Sequence, residues 1–544
     1  MIREQIKKLI LAALKKVGIK ADKNLDSYLI TRPKQYGFGD FSCAAALALK
    51  NEGENPQEIA KKLIGILEEN KTLKKYVSQI KIDGPGFINF YLSEEFLQNQ
   101  IKEILKAGEK YGENNLGKNK KVQVEFISAN PTGPLTLGNG RGGVFGDVLG
   151  NVLKSSGYDV TKEYYINDAG GQIEALGHSV LKDDRAEYKG EYIDQLNKEI
   201  LKQVQDDKSG VFDDKKTDAV EVGQRAQKII LKQIKKTVAA MGIKFSQWFS
   251  EKKELRDTGK VQKNLERMKK VGVAYEKEGA LWFRATEFGD EKDRVLVKGD
   301  GQPTYFGVDC AHHYSKFMEQ KFDRAINIWG ADHHGDVARV KGFAQFLGVG
   351  DKLEFILMQF VRLVQDGQEV RMSKRKGTYI TVDEVLETVG RDASRFFMLM
   401  YSPTTHMDFD LDLAREQSQK NPVYYVQYGY ARISAILRKS DNFQFPISNF
   451  QNLESLTKKE ELDLIRQLIK YPEIVADTAQ DYQVHRVPQY ARELVAAFHQ
   501  FYENCRVLDD KRDLREARLQ LIGATKIVLK NLLDLMGVSA PEKM

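Results

Sequence analysis

Apolar residues recur at helical spacing from the start of the chain. Ile2, Ile6, Leu9, Ile10, Leu14 and Val17, with Lys7 and Lys8 between them, predict an amphipathic helix. In "KIDGPGFINFYL", Ile80, Ile82, Phe87, Ile88 and Phe90 give a strand-like end to a first unit of about 95 residues, mixed in helix and strand. Residues 96–120 are expected to be a linker, most polar in "GEKYGENNLGKNKK". Then the period changes. Val122, Val124 and Phe126 alternate as a strand, a glycine-rich turn follows, and Val144, Val148, Leu149, Val152 and Leu153 predict a helix.

"VTKEYYIND", "RAINIWGADHH" and "LEFILMQFVRLV" read as further strands, each separated by helical segments. Alternation of this kind predicts an α/β fold, a doubly wound Rossmann-type sheet over residues 121–402. Residues of about 180–280 are dense in Lys and Glu and are expected to form a helical insertion on it. From residue 403 to 544 the pattern predicts an all-α domain, beginning with the tyrosine-rich "NPVYYVQYGYARISAILRK". An N-terminal α+β domain, residues 1–95, completes the expected architecture.

Composition changes this picture little. At 544 residues the chain exceeds what one core serves. Its 42% hydrophobic and 30% charged residues fit a globular protein, and no run approaches the ~20 apolar residues of a membrane span. The N-terminal helix lacks a small-residue cleavage site, so it does not read as a signal peptide. Cys43, Cys310 and Cys505 are too far apart for a disulfide framework or a zinc knuckle, and a cytoplasmic location is expected. A formal charge of +7, spread along the chain, permits a polyanionic partner without establishing one.

Candidate chemistry sits in two places. In "PTGPLTLGNGRGG" (131–143) the glycines Gly138, Gly140, Gly142 and Gly143 allow close backbone approach, and the following helix offers unpaired N–H groups. No Gly-Lys-Ser/Thr follows, so it is not a Walker loop; a tight crossing with glycines for packing alone is the other reading. In "VRMSKRKGTYI" (370–380), Arg371, Lys374, Arg375 and Lys376 crowd cations around Ser373 beside Gly377. A mobile loop of that kind suits charge developing on a triphosphate, although such runs are often only solvated.

Taken together, TLGN (Thr136–Asn139) and RMSK (Arg371–Lys374) resemble the paired motifs of class I aminoacyl-tRNA synthetases, usually H-I-G-H and K-M-S-K. "EFISANPTGPL" (125–135), "YYINDAGGQI" (164–173), "DGQPTYFGVDCAHHYSKF" (300–317) and "WGADHHGDVARVKG" (329–342) narrow the resemblance to arginyl-tRNA synthetase. "QYGFGDFS" (35–42) is similar to that family's added N-terminal tRNA-binding domain, and "YYVQYGYARISAILR" to the start of its helical anticodon-binding domain. The resemblance implies ATP-dependent activation of L-arginine and transfer to the 3′ end of tRNA(Arg), with Mg²⁺ arriving on ATP and no resident metal.

The resemblance also implies roles for single residues. Thr136, Asn139 and Lys374 would be catalytic. Pro134, Leu137, Gly138, Gly140, Gly330, Asp332, His333, Met372 and Ser373 would hold ATP. Glu125, Ser128, Asn130, Tyr305 and Asp309 would hold arginine, whose guanidinium needs carboxylates placed to accept its planar fork. Tyr305 lies four residues before Asp309, on one face if that segment is helical. Tyr428 and Arg432 would contact tRNA.

Asp332, His333 and His334 could suggest a metal site. Successive strand residues point to opposite faces, so the two histidines would not share an ion, and His334 is expected to face the core. Two departures from the family pattern stand out. TLGN removes two imidazoles, as the T-I-G-N of bacterial tryptophanyl-tRNA synthetases also does, and the family's DALR element reads Asp392, Ala393, Ser394, Arg395. A monomeric ligase is expected; the alternative is a tRNA-binding paralogue that does not activate amino acids.

Overall fold

The computed structural model describes residues 1–18, 29–33, 37–48, 55–206, 218–370, 380–440 and 450–544. The predicted first helix forms at Ile2–Lys16, with Ile2, Ile6, Ile10 and Leu14 buried. It belongs to a unit with an antiparallel sheet in the order β1-β2-β4-β3: β1 Ile30–Thr31, β2 Phe41–Cys43, β3 Val77–Asp83 and β4 Phe87–Leu92. This unit docks on the C-terminal helices through Arg32–Glu473 at 2.9 Å and Arg466–Asp40 at 2.9 Å. The segment expected as a linker begins instead as a helix, Glu94–Ala107, capped by Ser93. Leu97, Ile101, Ile104 and Leu105 give it a buried stripe, and Gln98 donates to the Leu456 carbonyl at 3.0 Å.

The central sheet has five parallel strands in the order β12-β11-β5-β6-β7: β5 Lys121–Glu125, β6 Asp159–Ile166, β7 Gln247–Ser250, β11 Arg324–Gly330 and β12 Leu353–Met358. Strand β7 falls inside the segment expected as a helical insertion, so part of that segment closes the sheet edge. Nearby, β8 Ala274–Lys277, β9 Ala280–Phe283 and β10 Arg294–Val297 make a small antiparallel sheet. "LEFILMQFVRLV" divides into β12 and β13 (Val361–Gln365). The latter pairs with β14 (Gln368–Glu369) and with β15 (Met407–Asp410). Strand β15 falls inside the span 403–544 expected to be all helical, so the C-terminal helices begin only at Leu411–Arg415 and run to Arg512–Met536. Among the described residues no helix is long and apolar enough to cross a membrane.

The helix after β5, Leu137–Ser155, lies against the sheet on its glycines. A Cβ at Gly146 would stand 2.3 Å from Phe126 Cγ, at Gly143 2.8 Å from Ile127 Cδ1, and at Gly140 2.9 Å from Val382 Cγ2. Those distances are too short for real contacts, so most of the glycine pattern serves packing. Gly138 differs: a Cβ there would meet only Thr136 Oγ1, at 3.9 Å, and the residue is exposed.

Candidate active site

In parallel sheets ligands bind beyond the carboxyl ends of the strands. Here that edge is formed by β5, β6, β7 and β11. After β5 the chain turns through Ile127 (φ 65°) and Ser128 (φ 40°). A β-branched residue at positive φ is strained, so the turn must be held from outside. Tyr165 N–H donates to Ser128 Oγ at 3.1 Å, and Tyr164 OH donates to the Ala129 carbonyl at 2.9 Å. Ser128 is thus engaged with β6, while Asn130 at the rim is exposed.

Thr136 is the N-cap of the glycine helix. Both its donors go to one atom: the backbone N–H (3.0 Å) and the hydroxyl (2.8 Å) each donate to Asn139 Oδ1. The Thr136 proton is therefore spent inside the turn, which leaves the Asn139 Nδ2 amide as the side-chain donor of the pair. Leu137 is 1% exposed and faces the core. Gly140 is buried and gives its N–H to the Thr136 carbonyl at 3.0 Å. Pro134 is half-buried. Val382 N–H donates to the Leu135 carbonyl at 2.9 Å, and Thr136 bridges Thr381. The end of the second motif's segment is so joined to the first motif's turn. Arg371, Met372, Ser373, Lys374, Arg375 and Lys376 themselves lie outside the described residues.

The helix expected around Tyr305 and Asp309 forms at Tyr305–Tyr314 and continues as a π-helical turn, Ser315–Glu319. Tyr305, Asp309, His312 and Lys316 fall at intervals of four, three and four, one stripe running from an exposed tyrosine to a fully buried lysine. Opposite it, Asn327, Glu125 and Glu163 are neighbours by register across β11, β5 and β6. Lys316 Nζ donates to Glu125 Oε2 at 2.5 Å and to Asn327 Oδ1 at 2.9 Å. His312 Nε2 lies 2.9 Å from Glu163 Oε1.

Burial, opposed by Lys316, pushes the Glu163 carboxyl up to about 7. Burial, with Lys316 beside it, brings His312 down to about 3, so its imidazole is neutral. Asp309 retains some solvent contact. No group among the described residues donates to its carboxylate. Burial and the repulsion of Glu125, Glu251 and Asp336, with Arg339 opposing, raise that carboxyl to about 7. The pocket is an acid set short of a cation.

Glu251, at the end of β7, was not among the sequence candidates. It is 2% exposed and accepts Tyr165 OH and Arg256 Nε, each at 2.7 Å. Its signal is an acid directly after "QWFS", a strand that lies within the segment expected as a helical insertion. His312 and Lys316 were not among the sequence candidates either, although they continue the Tyr305–Asp309 stripe at helical spacing.

Strand β11 ends at Gly330, and Ala331–His333 is a 3₁₀ turn. The alternation argument for "ADHH" therefore does not apply, and His334, which opens the next helix, is exposed rather than in the core. Asp332 and His333 are exposed too; His333 Nδ1 lies 3.2 Å from Asp336 Oδ2. Among the described residues the group with metal-like spacing is instead Glu125, Glu163 and His312, whose ligand atoms lie within 4.8 Å of one another. Lys316 already brings a positive charge into that group.

In the C-terminal domain Tyr428 and Tyr424 stack at 6.3 Å, and the Arg432 guanidinium lies 5.4 Å over Tyr428 and 4.7 Å over Tyr502. Tyr430 is in the core. The whole arrangement offers a cation-accepting pocket beside an anion-accepting helix start, with a half-buried aromatic and basic surface further off.

Residues 4–92 match the family described as arginyl tRNA synthetase N terminal domain, residues 100–398 that of tRNA synthetases class I (R), catalytic domain, and residues 426–544 the DALR anticodon binding domain. An arginine–tRNA ligase of Moorella thermoacetica is 43% identical over 533 residues, covering 96% of this chain and 94% of its own. That of Heliobacterium modesticaldum is 41% identical over 563 residues, covering 100% and 99%. The structure of Thermus thermophilus arginyl-tRNA synthetase superposes with a TM-score of 0.79 over 100% of both chains, at 24% identity, which speaks for the fold.

Proposed function

The chain belongs to the arginyl-tRNA synthetases, and from that premise we propose how its site divides the work of the reaction. The protein is an arginine–tRNA ligase. The arginine carboxylate attacks the α-phosphorus of ATP, pyrophosphate leaves, and arginyl adenylate remains. A ribose hydroxyl at the 3′ end of tRNA(Arg) then attacks the activated carbonyl, and AMP leaves. Neither step needs a covalent enzyme intermediate, so positioning and charge stabilisation carry the rate.

In our reading Asp309, Glu251 and Glu125 accept the guanidinium, Tyr305 covers the aliphatic stem, and Asn130 and Ser128 hold the α-amino and carboxyl end. Asn139, oriented by Thr136, donates to a phosphate oxygen, and Gly138 lets the nucleotide approach the backbone. Gly330, Asp332 and His333 lie toward the ribose. Lys374, with Met372 and Ser373, supplies the cation that the TLGN turn lacks, and Mg²⁺ comes with ATP as part of the substrate. Tyr428 and Arg432 contact the tRNA. Residues 1–95 serve as an added tRNA-binding domain, and the chain acts as a cytoplasmic monomer.

The observation that carries this reading is the Asp309 carboxyl, raised to about 7 and without a donor among the described residues. Arginine binds its ionised form, because the guanidinium stays charged throughout. Arginine binding should therefore release a proton below that value. The KM for arginine is expected to be flat above pH ~7 and to rise about tenfold per unit below it. A KM unchanged between pH 6 and 8 would remove Asp309 from the pocket. Persistence of the slope in Asp309→Asn would move the titration to Glu163.

The turn gives a second expectation. Asn139→Asp keeps the acceptor for Thr136 but turns the donor into an anionic oxygen facing phosphate. A loss of about 10²-fold or more in kcat is expected, while Thr136→Ser stays within about threefold. Equal losses in steady-state aminoacylation would undo this division of roles.

A further inference from the structure

Lys316 has a place in this pocket that neither motif spacing nor the reaction assigns to it. It is 0% exposed. The π-helical turn Ser315–Glu319 carries it beneath the end of the sheet, and turns of that type are rare and frequent at functional sites. Its ammonium is held by Asn327 Oδ1 on β11 and reaches Glu125 Oε2 on the neighbouring strand β5. Glu125 is left with Oε1, which has no donor among the described residues. Asn327 is itself fixed, its Nδ2 lying 3.0 Å from His313 Nε2. The chain of contacts His313–Asn327–Lys316–Glu125 thus ends at one of the acids read above as accepting arginine.

Resting on the arginine-pocket reading above, we propose that Lys316 is a positioning residue for amino-acid selection. It turns the Glu125 carboxylate toward the guanidinium and neutralises that buried acid, so that the pocket does not also need a cation for Glu125. A buried carboxylate is free to rotate and costly to leave unpaired; a fixed ammonium removes both problems. Glu251 is treated the same way by Arg256, at 2.7 Å. Of the three acids assigned to the guanidinium, Asp309 alone has no such internal cation among the described residues, and the substrate supplies it.

The test is steady-state aminoacylation by the full chain with arginine, ATP and tRNA(Arg), alongside thermal denaturation. Lys316→Met is expected to raise the KM for arginine about tenfold or more while the KM for ATP stays within about twofold. A folded Lys316→Met with unchanged arginine KM, or with both KM values raised by the same factor, overturns the proposal. If the single variant fails to fold, E125Q and E125Q/K316M decide, because the double variant removes both members of the Lys316–Glu125 pair. Lys316 acting through Glu125 makes their arginine KM values equal within about twofold; a further rise in the double variant means that it acts otherwise. Asp309→Asn is the control. If it too leaves arginine KM unmoved, the pocket reading has failed; if it alone moves KM, only the role of Lys316 has.

Discussion

Asp309→Asn is expected to lower kcat/KM for arginine by about 10³-fold or more, with the fold intact. The basis is the isolation of this carboxylate. A buried site made to bind a polar group rejects whatever leaves its own groups unpaired, by factors of about 10⁴ in the strongest cases. Asparagine offers one acceptor and a donor face where the guanidinium also presents only donors, so one of two forked contacts is lost and the amide N–H₂ opposes the substrate. Neighbouring Glu125 and Glu251 remain, each already sharing an oxygen with an internal cation, which is why the loss is not total. Removing the Asp309 charge also relieves repulsion among the acids, so thermal stability should hold or rise slightly. Lys376→Ala is expected to cost far less. Comparable losses for the two, measured at saturating ATP, would mean that Asp309 is not a guanidinium acceptor.

Much of this was legible from patterning. Alternation at Val122 and Val124, the glycine turn and the Tyr305–Asp309 spacing each predicted local structure that forms. What sequence hid was tertiary. Glycine appears the same whether a ligand or a neighbouring side chain comes close, and only the surroundings separate Gly138 from Gly140, Gly143 and Gly146. The short strand β7 is four residues within a Lys/Glu-rich run, and its membership of the sheet depends on pairing with β6 rather than on its own period. Missing it concealed Glu251. The Thr136 hydroxyl is likewise engaged only in the folded turn, by Asn139 three residues on, a capping distance.

The largest stability effect is expected at Arg395, whose replacement by Met should cost about 3–5 kcal/mol. The side chain is 1% exposed and serves three places at once. It donates to the Met536 carbonyl at the end of the last helix (2.7 Å), to the Met241 carbonyl (2.9 Å) and to Asp147 Oδ2 on the glycine helix (2.6 Å). Gly537 caps the last helix at φ 64°, so close that a Cβ there would stand 2.5 Å from the guanidinium. Lysine would be a poor replacement, since a single ammonium on a flexible stem does not match three acceptors in a plane. Asp147 would keep Lys162 at 2.6 Å, and Asn151 would still donate to the Leu535 carbonyl at 2.9 Å, so the helix end is loosened rather than freed. Ser394, which stands where the family has leucine, donates to the Gly390 carbonyl at 2.7 Å and holds the kink that presents Arg395. The same contacts join the C-terminal domain to the helix that begins at Thr136. Arg395→Met should therefore lower the urea midpoint and expose the junction near Met536 to protease, and its activity should fall mainly through the fraction folded. An unchanged midpoint, or a loss of kcat in protein shown to be fully folded, would mean that the three contacts hold the reacting groups rather than the domains.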